Sequence, residues 1–246
     1  REDGQLTRED VDSRLPLPGR DLCVRAAEAL RQTTGCKLGA HIRLHKRIPA
    51  EAGMGGGSSD AATCLIGLNR LWDLGLSRSE LARIGLALGA DVPFFISGRN
   101  AWVEGVGEQL TPVHLPPGRF AIVKPPAGAS TPQIFASPAL KRDTKTATMQ
   151  GFAADETPEG SLHLGKLLAH TRNDLQPVAQ GLCPDIERCI HWLAGQGLQG
   201  RMTGSGTAVF AHLPEAFEAL APVPEGWVAR ICSNMDIHPL ADWITG

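Results

Sequence analysis

Pro49-Ala50-Glu51-Ala52-Gly53-Met54-Gly55-Gly56-Gly57-Ser58-Ser59-Asp60 is the stretch on which the reading of this 246-residue chain turns. Four of its residues between positions 53 and 57 are glycine. Before it runs a strand pattern over 38–48, with Ala40, Ile42 and Leu44 on one face and His41, Arg43 and His45 on the other. After it runs a helical pattern from Ser59 to about Asp73, carried by Ala61, Ala62, Leu65, Leu68, Leu71 and Trp72. Ser58, Ser59 and Asp60 are the candidate N-caps. A glycine loop between a strand and a helix offers bare backbone N–H groups at the positive end of a helix dipole, which suits a phosphate. The alternative is a linker or tight turn, and the abrupt strand and helix on either side argue against a linker.

Two common phosphate templates fail. No lysine follows the glycines, so the Walker pattern is absent. In the dinucleotide pattern counted from Gly53, the third glycine position holds Ser58. That pattern does occur at Gly195-Gln196-Gly197-Leu198-Gln199-Gly200, but between a helix and a strand, the wrong order for a dinucleotide turn. It reads as a helix C-cap.

Composition sets bounds. Apolar residues make up 42%, charged residues 20%, and the formal net charge is −2, which is ordinary for a globular protein with one large or two modest domains. A chain of this length buries about 70% of its unfolded surface. Aromatics are 5% and there is no lysine/arginine run, so nothing suggests nucleic acid as a partner. No apolar run approaches the roughly 18 residues of a membrane span, so no membrane partner is expected. The six cysteines contain no C-x-x-C pair and read as reduced thiols of a cytoplasmic protein. His41 and His45 share a strand face but are too spread to form a metal site by themselves, and no metal-ligand residue is assigned.

Along the chain, residues 1–19, with Pro16 and Pro18, read as a short strand or loop at most. A helix begins after Asp21 and ends at Gly35. A second has a capping box at Ser77 and Glu80, with Leu76 and Leu81 as its staple, and closes at Gly89. An extended run covers 100–106. Pro112, Pro116, Pro117 and Gly118 mark a break, which divides the chain into domains 1–117 and 118–246. The second half reads as strand Phe120–Val123, a polar excursion over 141–165, a helical start at Asn173-Asp174-Leu175, and a helix from Asp185 with Ile186, Cys189, Ile190 and Leu193 inward. The Gly204-Ser205-Gly206 loop, a strand Thr207–His212, a helix 214–220 and a strand Trp227–Cys232 complete it. That order suggests an α+β, ferredoxin-like layer.

Three separated stretches resemble the motifs of the GHMP kinases, the family of galactokinase and the homoserine, mevalonate and phosphomevalonate kinases. Pro49-x-x-x-Gly53-Met54-Gly55-Gly56-Gly57-Ser58-Ser59 resembles the phosphate loop, and Gly89-Ala90-Asp91-Val92-Pro93 the segment of the catalytic aspartate. Arg201-Met202-Thr203-Gly204-Ser205-Gly206 with Val209-Phe210-Ala211 resembles the C-terminal glycine motif. Four further marks, at 55–63, 88–95, 104–108 (Glu-Gly-Val-Gly-Glu) and 172–175 (Arg-Asn-Asp-Leu), are similar to the branch of the family that acts on a cytidine-diphosphate-linked methylerythritol.

The resemblance implies a two-domain α+β fold, an N-terminal α/β domain of the ribosomal-protein-S5 type and a C-terminal ferredoxin-like domain, with a cleft between them. It implies ATP-dependent phosphorylation of the 2-hydroxyl of the methylerythritol part, in the non-mevalonate route to isoprenoids, with ATP and Mg²⁺. The enzyme is expected to be a monomer or weak homodimer. Asp91 is the implied catalytic base. ATP is assigned to Pro49, Ala50, Glu51, Ala52, Gly53, Met54, Gly55, Gly56, Gly57, Ser58 and Ser59, with Asp21 beside the adenine where the family often has asparagine. One of Ser58 and Ser59 is expected to cap the helix and the other to meet phosphate or Mg²⁺. The acceptor is assigned to Thr131, Pro132, Phe135, Thr203, Gly204, Ser205 and Gly206, Phe135 being otherwise a core aromatic. Family members also carry an N-terminal Pro-Ala-Lys strand and a Gly-Tyr-His segment that this sequence does not show, so an incomplete N-terminus is expected. Another GHMP kinase, or a non-catalytic nucleotide-binding relative, remains the alternative.

Overall fold

A computed structural model of the chain describes residues 2–11, 21–152 and 164–244. The prolines at 16 and 18, and the 153–163 part of the polar excursion, lie outside them. The chain falls into two units. One comprises residues 1–49, 55–113 and 236–246, the other residues 50–54 and 114–235.

In the first unit, β1 (Leu6–Val11) pairs in parallel with β2 (Ala40–His45), Leu6 opposite Ala40. Ala40 and Leu44 are buried while His41, Arg43 and His45 are exposed, as the alternation predicts. The exposed face is laced by polar groups: His41 meets Thr7 and Glu9, and Arg43 meets Glu9.

α1 (Leu22–Thr34) and α2 (Gly56–Leu71) pack side by side through Ala26, Ala27 and Leu30 of one and Ala61, Ala62, Leu65 and Ile66 of the other. Small residues at the contact let two backbones approach closely. α1 ends where Gly35, at φ 72°, takes the left-handed cap and donates to the Arg31 carbonyl. α3 (Arg78–Leu86) carries the expected capping box, Ser77 receiving the Glu80 amide and Glu80 the Ser77 amide. Leu76 and Leu81 join one cluster, as a staple requires. α4 (Val92–Ser97) follows at once, and Arg78 ties it down by donating to the carbonyls of Ile96 and Ser97. β3 (Ala101–Glu104) and β4 (Gln109–Pro112) make an antiparallel hairpin.

The second unit is built on a four-stranded antiparallel sheet in the order β6 (Arg201–Met202), β7 (Val209–Leu213), β5 (Arg119–Lys124), β8 (Val228–Ser233). α5 (Thr131–Ala136), α6 (Leu164–His170), α7 (Gln176–Leu182) and α8 (Asp185–Ala194) accompany it. Ile186, Cys189 and Leu193 of α8 pack with Ala121, Val123, Val209 and Ala211 of the sheet in one core. That is the α+β layer read from the sequence. Burial pushes the Cys189 thiol up to about 12, in keeping with a reduced, unreactive core cysteine.

Three local expectations are corrected. α2 begins at Gly56 and not at Ser59, because Gly55 adopts φ 64° and turns the chain before the serines are reached. Leu71 is 68% exposed: α2 ends there and Trp72 takes the buried place, its indole donating to the Gly39 carbonyl. Residues 214–220 form a turn at 215–216 and no helix. Phe217 and Leu220 still pack on the core, so their apolar spacing reflects a packed loop.

Candidate active site

The start of α2 carries the first half of the candidate site. Gly55 is its N-cap residue and offers no side-chain cap. The first helical bond runs from the Ser59 amide to the Gly55 carbonyl at 2.8 Å. The amides of Gly56, Gly57 and Ser58 therefore have no acceptor within the helix and point along the positive end of its dipole. Ser58 and Ser59 lie inside the first turn and neither caps it, which corrects the expected division of roles. Asp60 lies deeper still and its carboxylate is paired with Lys46. Gly56 is the more tightly packed of the two glycines that open α2. A Cβ on Gly56 would meet Ile48 Cγ2 at 2.9 Å, and one on Gly57 would meet Leu22 Cδ1 at 3.3 Å.

Asp91 belongs to the same unit, at the N-terminus of α4. Val92, Pro93 and Ile96 are buried, so the helix is anchored while Asp91 stays exposed. Its carboxylate makes no capping hydrogen bond to α4. The carboxylate faces the glycine turn instead: a Cβ on Gly55 would stand 4.0 Å from Asp91 Oδ2. Likewise a Cβ on Gly89 would stand 3.8 Å from Ser58 Oγ. The tertiary structure thus brings Gly55 beside Asp91, 36 residues on, and Ser58 beside Gly89, 31 residues on. The Glu-Gly-Val-Gly-Glu turn packs through Gly107 against the carbonyl of Ala90, the residue before Asp91. Glu108 Oε2 accepts from the Val106 amide at 2.8 Å, and bonds from its own amide and that of Val106 hold its carboxyl below the usual range.

Asp21 caps α1, its Oδ1 accepting from the Cys23 and Val24 amides at 3.1 and 3.2 Å. Its Oδ2 lies 3.2 Å from Arg8 Nη1. The side chain is therefore fixed in place.

The other half of the glycine loop, Ala50–Met54, belongs to the second unit. Glu51 sits at φ 53°, a conformation that costs a non-glycine residue about 1–2 kcal/mol. Backbone bonds hold it there: the Thr207 amide donates to the Glu51 carbonyl and the Ala208 amide to the Ala52 carbonyl, both at 3.1 Å. Thr203 Oγ1 donates to the Gly53 carbonyl at 3.1 Å, and a Cβ on Gly53 would collide with the Thr203 carbonyl. The first and third glycine motifs are thus in direct contact within this unit.

Thr131 Oγ1 and Ser205 Oγ are 2.7 Å apart, which joins the two expected acceptor segments. Pro132 and Phe135 are exposed beside them, Phe135 to 53%, so its ring is not a core aromatic. Pro49 is exposed and ends the first unit's segment before the loop.

Sequence reasoning passed over Lys124. It is 7% exposed, and its Nζ donates to the carbonyls of Pro125 and Ala127 at 2.7 and 2.6 Å. Burial holds its pKa below the ordinary lysine value. Thr207 Oγ1 donates to the same Ala127 carbonyl at 2.8 Å. A lysine at the end of a strand gives no sign of this, because the turn it braces is set by β5.

Comparison with known proteins gives the same reading. Residues 21–99 match the GHMP kinases N terminal domain and residues 157–227 the GHMP kinases C terminal family. A 4-diphosphocytidyl-2-C-methyl-D-erythritol kinase of Verminephrobacter eiseniae (strain EF01-2) is 56% identical over 252 residues, covering 99% of this chain and 83% of its own. The crystal structure of a 4-(cytidine 5'-diphospho)-2C-methyl-D-erythritol kinase is 33% identical with a TM-score of 0.63, covering 84% of this chain and 72% of its own. A homoserine kinase from Cytophaga hutchinsonii ATCC 33406 has the same TM-score of 0.63 at 15% identity, over 95% of this chain and 83% of its own, a likeness of fold alone. The chain belongs to the GHMP kinases and, among them, to the 4-diphosphocytidyl-2-C-methyl-D-erythritol kinase family.

Proposed function

We propose that the protein transfers the γ-phosphoryl group of ATP to the 2-hydroxyl of 4-diphosphocytidyl-2-C-methyl-D-erythritol, a step of non-mevalonate isoprenoid precursor synthesis. The observation that carries the reading is Asp91, exposed and without a capping bond, beside the bare amides of the α2 N-terminus. In this reading residues 1–117 form the ATP-binding domain and residues 118–246 the C-terminal domain.

Phosphoryl transfer needs the phosphates neutralised, the acceptor in line, and a place for the hydroxyl proton. The amides of Gly55, Gly56, Gly57 and Ser58 supply donors to the phosphates, Ser59 closes the first helical turn, and Pro49–Met54 shape the loop. Asp91 orients the acceptor hydroxyl and takes its proton late, since a carboxylate is a weak base. Asp21 keeps one acceptor lone pair for the adenine amino group, because a carboxylate has about four and three are engaged here.

The Ser58 hydroxyl is a hard oxygen donor, which fits Mg²⁺ together with substrate phosphates. When bound, Mg²⁺ neutralises charge on the phosphate oxygens. Thr203, Gly204, Ser205 and Gly206 hold the acceptor, with Thr131 and Pro132, and Phe135 stacks on its cytosine. No helix among the described residues is long and apolar enough to cross a membrane. The protein is read as a cytoplasmic monomer or weak homodimer that binds neither nucleic acid nor membrane.

The test is ADP release in a coupled assay with the cytidine-linked acceptor, homoserine, mevalonate and phosphomevalonate side by side. Turnover with the cytidine-linked acceptor alone is expected. Preference for another alcohol would transfer the chain to a different branch of the family, and a nucleotide-binding protein without turnover would be a non-catalytic relative.

A further inference from the structure

Arg172-Asn173-Asp174-Leu175 is a motif for which the reaction above has no use. In the structure it has one. Asn173 Nδ2 donates to the Met202 carbonyl at 2.9 Å and to the Gly204 carbonyl at 2.7 Å. Its Oδ1 accepts from the Leu175 amide at 3.0 Å. The side chain spends both donors on two carbonyls two residues apart and anchors itself through its acceptor. Gln176, three residues on, accepts the Met202 amide at 2.9 Å. Residues 202–204 are therefore held on both backbone edges by side chains of one short segment.

What those residues hold in turn is the glycine loop. Thr203, between the two clamped carbonyls, donates its hydroxyl to the Gly53 carbonyl. The turn closes through Gly206 N–H to the Thr203 carbonyl at 2.9 Å and Thr203 N–H to the Ala208 carbonyl at 3.0 Å. Beyond it, Thr207 and Ala208 donate to Glu51 and Ala52. All these residues belong to the second unit.

We propose that Asn173 is a positioning residue: by clamping the carbonyls of Met202 and Gly204 it sets the 203–208 turn, and through that turn the Glu51–Gly53 half of the ATP loop. The chemistry selects asparagine. Aspartate is isosteric and keeps the acceptor for Leu175, but it would set a carboxylate oxygen against two carbonyl oxygens. Serine has one donor for two acceptors. The role assigned to the loop rests on the function proposed above, but the structural linkage does not.

The experiment compares the wild type with Asn173→Asp and Asn173→Ser, reading amide hydrogen exchange and, separately, kinetics. In Asn173→Asp, faster exchange is expected at Thr207 and Ala208, with the β5–β7 ladder amides unchanged. The value of kcat/KM for ATP is expected to fall on the order of 10- to 100-fold, as for a loop displaced by about an ångström. The serine variant should fall between the two, and it carries the test if the aspartate variant does not fold. In a cycle with Thr203→Val the losses should not multiply, because both substitutions cut the same path. Unchanged exchange at Thr207 and Ala208 overturns the proposal. So does equal acceleration at every amide of the unit, which would mark a merely structural asparagine. If the wild type proves inactive, the proposed function falls while the exchange arm still decides on Asn173.

Discussion

Gly107 stands against the carbonyl of Ala90, the residue before Asp91, so closely that a Cβ on Gly107 would collide with that oxygen. Gly107 is buried and sits at φ 122°, in the left-handed region. The hairpin turn therefore serves as a backstop for the aspartate segment. Gly107→Ala is expected to displace Ala90 and with it Asp91, lowering kcat on the order of 100-fold while ATP affinity changes little. Steady-state kinetics with an independent ATP titration separates the two effects. A parallel loss of ATP affinity would show that the turn supports the phosphate loop instead.

Asp91→Asn keeps the size of the side chain and removes its capacity to take a proton. Turnover is expected to fall by about 10²–10⁴-fold. Because Asp91 makes no capping bond, the melting temperature and the ATP dissociation constant should stay close to wild type. Near-normal turnover would remove Asp91 from the mechanism.

Gly55 and Gly57 should respond differently to alanine. At Gly55 the left-handed φ of 64° costs alanine about 1–2 kcal/mol, and the new Cβ would also press on Phe95 Cε2 at 2.9 Å. At Gly57 the close neighbour among the described residues is the end of Leu22, at 3.3 Å, which can yield. Gly55→Ala should weaken ATP binding and lower the melting temperature, and Gly57→Ala should do far less. Calorimetric ATP titration beside thermal melts makes the comparison. Equal losses would show that the loop tolerates no side chain anywhere.

The α3 cap supplies a pH-dependent contribution. Hydrogen bonds from the Ser77 side chain and backbone hold the Glu80 carboxyl below its ordinary range. A carboxylate whose folded pKa is depressed stabilises the fold above its unfolded pKa, about 4.3. That stability is lost as the pH falls through the folded pKa. Ser77→Ala should therefore lower the melting temperature at pH 7, and the deficit should shrink below about pH 4. A deficit independent of pH would assign the effect to the serine cap alone.

The local patterns of the chain determined a good deal. The alternation over 40–45, the Ser77–Glu80 capping box and the apolar spacing of α8 each led to the element observed, because each depends on neighbours within a few residues. The glycine motifs pointed to the family for a similar reason: a bare backbone is needed wherever another backbone comes close, as at Gly53 and Gly204. Tertiary structure decided the rest. Gly55 starts α2 ahead of the serines because Phe95, 40 residues away, leaves no room for a side chain there. The apolar spacing of 214–220 reads as a helix, yet it serves a loop, because periodicity reports burial and not hydrogen bonding. The reach of Asn173 to Met202 and Gly204 left no trace in the sequence. A side chain's donors carry no record of the distant carbonyl that will accept them, and only the folded backbone brings the two within 3 Å.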